Sequence, residues 1–392
     1  MNYKKNELCY EIMLKDTVVA SINISNGFAT IKENALPFDL KLKANIQTIE
    51  DSIENILSFK EWCASRTLMM SQKHAKKICN ALAISQDVSV ENKARIAIAY
   101  HCSTLQDSYW IKQKGSSLTY EEVSLFRNTS RNVLTPVSLR GEVDSIFTNK
   151  LKNWSDIGAD GTLAKSWIRE DGAYYLYKTG DNLDGEVLAS NLLKQAKANA
   201  VAYIKTKNKD VDVVKCECFT NEDTSFIPYR TFARAFNGAA LKFIKDNFLE
   251  EYANMVVATY LTGNEDLHDK NWGIVTNPNT GDIKGLAPLF DFDGCFVNYK
   301  NSKNLKFLPE CVYVSERNDV FFYNDWNMED YRIEGPTIEE AALQYAPFAS
   351  VEYTNIDLDT IPEAFRDELE RRITKLTKQK SKEILDAETE RE

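Results

Sequence analysis

Asp266 and Asn271 lie in the stretch NEDLHDKNWGIVTNPNTGDIKGLAPLFDFDG, from Asn264 to Gly294, and have the residue types and spacing that phosphoryl transfer needs. A hydroxyl attacking a γ-phosphate must lose its proton, and a carboxylate within hydrogen-bond reach can accept it. Kinase catalytic loops place that base first and an amide metal ligand second, in the pattern D-x-x-x-x-N. A second carboxylate, Asp291, follows the apolar run LAPLF, which reads as a buried strand delivering one acidic group to the same place. Mg²⁺ prefers hard oxygen ligands and keeps several waters, so Asn271 and Asp291 beside the phosphates of ATP are enough. The pattern D-x-x-x-x-N by itself is weak, because both residue types are common in loops; its setting gives it weight.

That setting consists of a helix before the loop and a hairpin after it. Phe248, Tyr252, Val256 and Tyr260 recur every four positions and predict a helix over Phe248 to Leu261, ended by Gly263. Trp272 to Thr276 and Ile283 to Leu289 flank NPNTGD, a turn-rich segment, and predict a hairpin that folds Asp291 back toward Asn271.

Such a site requires a nucleotide cradle earlier in the chain. Residues 158–165, GADGTLAK, form a glycine-containing turn whose backbone N–H groups suit phosphate oxygens. Turns of this kind are usually only turns, but this one precedes Ser166 to Arg169 and Ala173 to Lys178, two β-rich runs around Glu170-Asp171-Gly172. Lys178 ends the second run and suits the α/β-phosphates. Glu186, at the start of EVLASNLLKQAKANA, is the carboxylate expected to hold it, with Asp184 as the helix cap. A solvated lysine and a first-turn glutamate favoured by the helix dipole are the plain alternative. Two further strands, Val201 to Lys205 and Val211 to Phe219, lead to the polar break TNEDTS. Glu217, Cys218 and Phe219 are therefore candidates for the adenine edge, or simply a core strand.

NEDLHDKN followed by LAPLFD resembles the N-x-D-x-H-x-K-N and L-x-P-x-(Y/F)-D motifs of the HipA-like serine/threonine kinases. GTLAK, YYLYK, Glu186 with its helix, and VDVVKCECF fall in that family's order, and the resemblance covers about 139–387. It implies Asp266 as base, Asn271 and Asp291 on Mg²⁺, and Lys178 on the α/β-phosphates. The turn Gly161, Thr162, Leu163, Ala164 and Lys165 would lie over the phosphates, and Glu217 to Phe219 near adenine. It places His268 and Lys270 along the site, with a loop-holding role for His268 as the alternative. Family members can phosphorylate a serine in their own glycine turn; Thr162 and Ser166 are the nearest hydroxyls here, and neither matches that motif.

Residues 1–138 depart from the toxin-type members, lacking an LLPEG-like stretch and a glycine–alanine motif. This counts against docking of an antitoxin-like regulator, which the family binds partly through that region. The segment instead predicts a β-hairpin over Tyr10 to Ile31, turning at Lys15-Asp16 or Asn26-Gly27, then helical stretches such as Ser58 to Leu82. Trp62, Leu68 and Ile78 are expected in the core, and LQDSYWIKQKG follows.

With 392 residues, 43% hydrophobic, the chain can bury a sizeable core and fill two or three modules. A net charge of −10 argues against direct nucleic-acid binding. No run approaches a membrane span and the first residues carry no hydrophobic signal, so a cytoplasmic protein is expected. Eight scattered cysteines are expected as thiols, and three histidines leave little room for a zinc site or a Ser-His-Asp triad. Asp293 to Pro336 is long and aromatic, in the place of a substrate platform, and Ile361 to Glu392 reads as an amphipathic helix with Phe365, Leu369, Ile373 and Leu376 on one side.

The expected fold is α+β: a bilobal protein-kinase-like architecture with a small β-rich lobe (139–220) and a larger helical lobe (221–392), preceded by an N-terminal α/β domain (1–138). The expected reaction moves the γ-phosphoryl group of ATP to a Ser/Thr hydroxyl of a protein substrate, with autophosphorylation as a variant. The alternatives are a small-molecule phosphotransferase sharing the D-x-x-x-x-N layout and a non-catalytic nucleotide-binding regulator.

Overall fold

The computed structural model describes residues 8–32, 36–128, 134–142, 161–236, 238–315, 320–321 and 331–389. Residues 158–160 of the glycine turn, and parts of the stretch 293–336, lie outside them. Strands pair antiparallel and mix with helices, in two compact units that are each discontinuous along the chain. The first comprises 1–180, 206–227 and 275–284; the second comprises 181–205, 228–274 and 285–392. Among the described residues, no helix is long and apolar enough to cross a membrane.

In the first unit, both turns anticipated near the N-terminus occur. Cys9–Leu14, Thr17–Asn23 and Ala29–Ile31 form an antiparallel meander, and Tyr109–Gln113 from LQDSYWIKQKG pairs on the other side of Cys9–Leu14. Alternation buries Ile12, Leu14, Ala20 and Ile22 against Phe59, Trp62 and Cys63 of the helix Ile49–Ser65. The helical stretch expected over Ser58 to Leu82 is interrupted. One helix starts earlier, at a Thr48/Asp51 capping box, and stops at Arg66; another spans Ala75–Ala81. Arg66 turns inward, donating to Asp107 Oδ2 at 2.9 Å and to Cys102 O at 2.6 Å. That long-range bond competes with helix continuation, and nothing in local periodicity announces it. Trp62, Leu68 and Ile78 are all buried, although Trp62 belongs to one cluster and the other two to another.

The same unit holds the hairpin Lys165–Glu170 and Ala173–Lys178, closed by Asp171 and Gly172 at φ 47° and 91°. Two successive positive-φ residues make the tight turn whose twist suits a hairpin, which is why Asp-Gly stands there. Val211–Glu217 pairs with Ala173–Lys178, and Ile204–Asn208 completes the sheet. The strand expected over Val201 to Lys205 begins only at Ile204, because Val201 is drawn to Leu289 O.

The second unit is built around the helix Leu249–Thr262, in which Tyr252, Ala253 and every residue from Met255 to Thr262 are buried. The C-terminal helix Glu363–Thr389 buries Leu369 and Leu376 completely, while Phe365 and Ile373 are half-buried. Its inward face also carries Glu368 and Arg372, which apolar periodicity did not reveal. Burial penalises the charged form of Glu368, but hydrogen bonds from Arg371 and Arg372 outweigh it and hold its pKa at about 2 instead of 4.5. Glu339 is likewise held at about 2, burial being outweighed by Lys375, Tyr260 and Arg371. A carboxylate depressed in the folded state stabilises above its unfolded pKa and loses that contribution as pH falls toward the folded value. We therefore expect stability to fall between pH 4.5 and about 2, with Glu368 accounting for about 2 kcal/mol. Urea unfolding across that range should show the fall, and it should flatten in Glu368→Gln.

Candidate active site

The catalytic-loop candidates all belong to the second unit, and their placement begins where the central helix stops. Gly263 takes φ 62°, and its N–H caps the helix on Thr259 O and Tyr260 O. A Cβ at this position would lie 2.6 Å from Ser302 Oγ and 2.7 Å from Tyr299 Cδ2. Gly263→Ala thus combines left-handed strain with a clash, and should destabilise by about 1–3 kcal/mol, measured by thermal or urea unfolding.

Beyond that cap the loop is laced to itself. Asn264, 5% exposed, accepts the Asp266 N–H on its Oδ1 at 3.0 Å. Asp266 O accepts the His268 N–H at 2.8 Å and Asn271 Nδ2 at 3.0 Å, and the same Nδ2 lies 3.4 Å from Asp266 Oδ2. Leu267 is buried beneath, whereas the Asp266 side chain stays 47% exposed. The loop thus presents a carboxylate outward on a fixed backbone. The Lys270 N–H donates to His268 Nδ1 at 3.2 Å, which leaves the neutral imidazole's proton on Nε2, 3.9 Å from Asp266 Oδ2. His268 therefore braces the loop through the Lys270 N–H, with its Nε2 on the side of the Asp266 carboxylate.

The segment carrying Asp291 approaches this loop through a glycine that sequence reasoning left unused. A Cβ on Gly294 would sit 2.8 Å from Asn264 Oδ1, 2.9 Å from Asp266 N and 3.0 Å from Asp266 Cβ. Gly294 O accepts the Glu265 N–H at 3.2 Å. Only a residue without a side chain permits this approach, and the glycine closing DFDG was the available signal.

Asp291 itself has φ 61°, a conformation that costs a non-glycine residue energy and is found mostly where function or packing demands it. Its N–H donates to Tyr203 Oη at 3.2 Å, and Tyr203 packs edge-on against Phe292 at 5.5 Å. The strand expected over LAPLF is shorter than read. It covers Ile283–Leu286, and after Pro288 only Leu289 pairs, in a parallel bridge to Ala200. Proline lacks the donor a continuing strand would need. The hairpin itself is present, with Gly273–Thr276 beside Ile283–Leu286 and Ala287 N–H donating to Gly273 O at 2.9 Å.

Glu186 is 1% exposed on the helix Leu183–Gln195. Asp184 does not cap that helix: the N-cap is Asn182, and Asp184 instead pairs with Lys205 at 2.6 Å. Asn182 makes no capping bond and spends its Nδ2 on Asp293 O and Cys295 O, each at 2.8 Å. The Glu186 helix is thereby tied to the segment that follows Asp291.

The phosphate-site candidates belong to the first unit. Lys165 and Lys178 are directly opposite in the hairpin register, and so share one face; they are 5% and 1% exposed. Lys165 Nζ lies 2.3 Å from where a Gly161 Cβ would be, so the ammonium rests on the turn backbone, with Gly161 at φ 111°. Thr162 O accepts the Lys73 N–H at 2.7 Å, while the side chain of Thr162 is exposed, Leu163 half-buried and Ala164 buried. Ser166 is fully buried and bonded to Thr135 Oγ1 at 3.0 Å, which removes it from the surface. Glu217 is exposed at its strand end, and Phe219 packs edge-on against Phe226. The Cys218 N–H is already given to Tyr174 O at 2.8 Å, and burial pushes the Cys218 thiol up.

The donor chemistry fits a hard cation. Asn271 commits its NH₂ to Asp266, so its Oδ1 is the atom left to meet a ligand, and the Asp291 carboxylate is a hard oxygen donor of the same type. Among the described residues, no group of three or more His, Cys, Asp or Glu converges as a metal cage.

No protein-family model and no curated protein matches the chain. Solved structures do resemble it. One is the Helicobacter pylori proinflammatory kinase CtkA, at 17% identity and TM-score 0.40, covering 59% of this chain and 93% of that one. Another belongs to the Shewanella oneidensis MR-1 toxin–antitoxin complex of HipA, HipB and operator DNA, at 12% identity and TM-score 0.48, covering 95% and 97%. Both likenesses are distant, concern fold alone, and assign neither activity nor partner.

Proposed function

We propose that this chain is an ATP-dependent, HipA-like protein kinase acting on Ser/Thr hydroxyls. The observation that carries the reading is Gly294, which sets the segment containing Asp291 against the backbone and Cβ of Asp266, while Asn271 turns its amide onto the same residue. This supports reading base, amide and second carboxylate as members of one site.

In this reading Asp266, exposed and backed by a fixed loop, accepts the acceptor hydroxyl's proton on a carboxylate oxygen. His268 Nε2, 3.9 Å from Asp266 Oδ2, lines the same site. Asn271 Oδ1 and Asp291 would hold Mg²⁺, which when bound neutralises phosphate charge. Lys165 and Lys178 bind phosphate oxygens of the nucleotide. Lys178, which ends its strand, and Glu186 are both 1% exposed. Residues Gly161 to Ala164 cover the phosphates, Lys270 lines the site, and backbone groups of Glu217 or Phe219 meet adenine.

Purified protein given γ-labelled ATP, Mg²⁺ and either a protein extract or its small-molecule fraction tests the reading. Label on serine or threonine of a protein is the expected result. Label recovered only on metabolites would make the chain a small-molecule phosphotransferase, and ATP bound but never consumed would make it a non-catalytic nucleotide binder.

A further inference from the structure

Asp269 stands inside the loop between base and amide, yet nothing in the proposed chemistry uses it. Its side chain is 6% exposed, and a buried carboxylate is costly unless paired and hydrogen-bonded. Its partner is Arg230, 15% exposed, at the start of the helix Tyr229–Ala235. The contact is bidentate: Nη2 donates to Oδ1 at 3.0 Å and Nε donates to Oδ2. A guanidinium fork on a carboxylate fixes orientation as well as distance. The Arg230 N–H also donates to Asp269 O at 2.9 Å, so backbone and side chain grip the same residue.

The neighbouring residue extends the grip. The Tyr229 N–H donates to Trp272 O at 2.9 Å, and the Tyr229 ring stacks on Trp272 at 4.1 Å with an interplanar angle of 14°. Tyr229 and Arg230 thus hold the loop at Asp269 and Trp272, on either side of Lys270 and Asn271. Asp269 Oδ1 also lies 3.8 Å from His268 Nδ1, the residue facing Asp266.

We propose that Arg230 and Asp269 are positioning residues that set the angle at which Asp266 and Asn271 are presented. The proposal rests on Asp266 being the base of the proposed kinase. Neither residue touches substrate; they act by fixing the loop, where small displacements of reacting groups are expensive in rate.

The test uses the full chain in wild-type form and as Asp269→Asn, Arg230→Ala and Arg230→Lys, with turnover, KM for ATP and thermal unfolding measured for each. If wild type transfers no phosphate, the kinase reading fails first, and this inference falls with it. If wild type is active, Asp269→Asn and Arg230→Ala should stay folded, keep KM within about twofold and lose about tenfold or more in kcat. Arg230→Lys, which keeps the charge without the fork, should recover part of that loss. Unchanged kcat in the folded variants, a loss confined to KM, no recovery by lysine, or unfolding of the single variants would each overturn the positioning role.

Discussion

Asp266→Asn should lower phosphoryl-transfer turnover by about 10²–10⁴ while leaving the fold and ATP affinity nearly unchanged. The substitution keeps size and removes the group able to take a proton. The bonds that shape the loop survive it, because His268 N–H and Asn271 Nδ2 reach the backbone oxygen of residue 266, and Asn264 receives its N–H. The side chain is 47% exposed, so its replacement leaves no buried group unsatisfied. Steady-state kinetics with a labelled nucleotide, alongside binding of a non-hydrolysable analogue, separates loss of chemistry from loss of affinity. A variant with wild-type turnover would remove Asp266 from the role of base.

Arg372→Met should destabilise the second unit by about 3–5 kcal/mol, the largest stability effect expected of a single substitution here. Arg372 is 0% exposed. It donates to Glu368 Oε1 at 3.0 Å, to Ser302 Oγ at 2.9 Å, and to the carbonyl oxygens of Tyr260 and Tyr299. Its guanidinium carbon also lies 4.1 Å from the Tyr299 ring centroid and 5.0 Å from that of Tyr260. Methionine fills much of the volume but removes one donor each from the Tyr260 and Tyr299 carbonyls, which keep the Gly263 N–H and the Ser302 hydroxyl, and strips Glu368 of a buried partner. Tyr260, Tyr299 and Ser302 surround Gly263, so the loss also loosens the cap from which the loop carrying Asp266 departs. Urea unfolding measures the change. Arg372→Lys should recover only part of it, because an ammonium cannot serve the same fork, and a loss below about 1 kcal/mol would show that the network is dispensable.

Local rules made part of this architecture legible. Asp171-Gly172 encodes its hairpin through positive φ, four-residue periodicity marks the central helix, and Gly263 ends it where a left-handed cap is needed. Asp266 and Asn271 meet in one loop because five residues bring them back together, a distance that spacing alone can encode. What was misread depended on bonds between residues far apart in sequence. Arg66 leaves its helix for Asp107, Asn182 abandons capping for Asp293 and Cys295, and Arg372 and Glu368 occupy a helix face that periodicity assigns to apolar residues. The LAPLF strand failed for a local reason that was visible, since Pro288 stands in its middle. Arg230 and Asp269 are 39 residues apart, and no pattern links them before the chain is folded.

The central claim is that the constellation around Asp266 moves a phosphoryl group from ATP. Mass mapping of the purified protein and an added protein extract, after incubation with ATP and Mg²⁺, measures this directly in wild type and in Asp266→Asn. New phosphoserine or phosphothreonine with wild type, and almost none over the same time with the variant, is the predicted result. Equal phosphorylation by both proteins, or none by either while ATP remains intact, would contradict it.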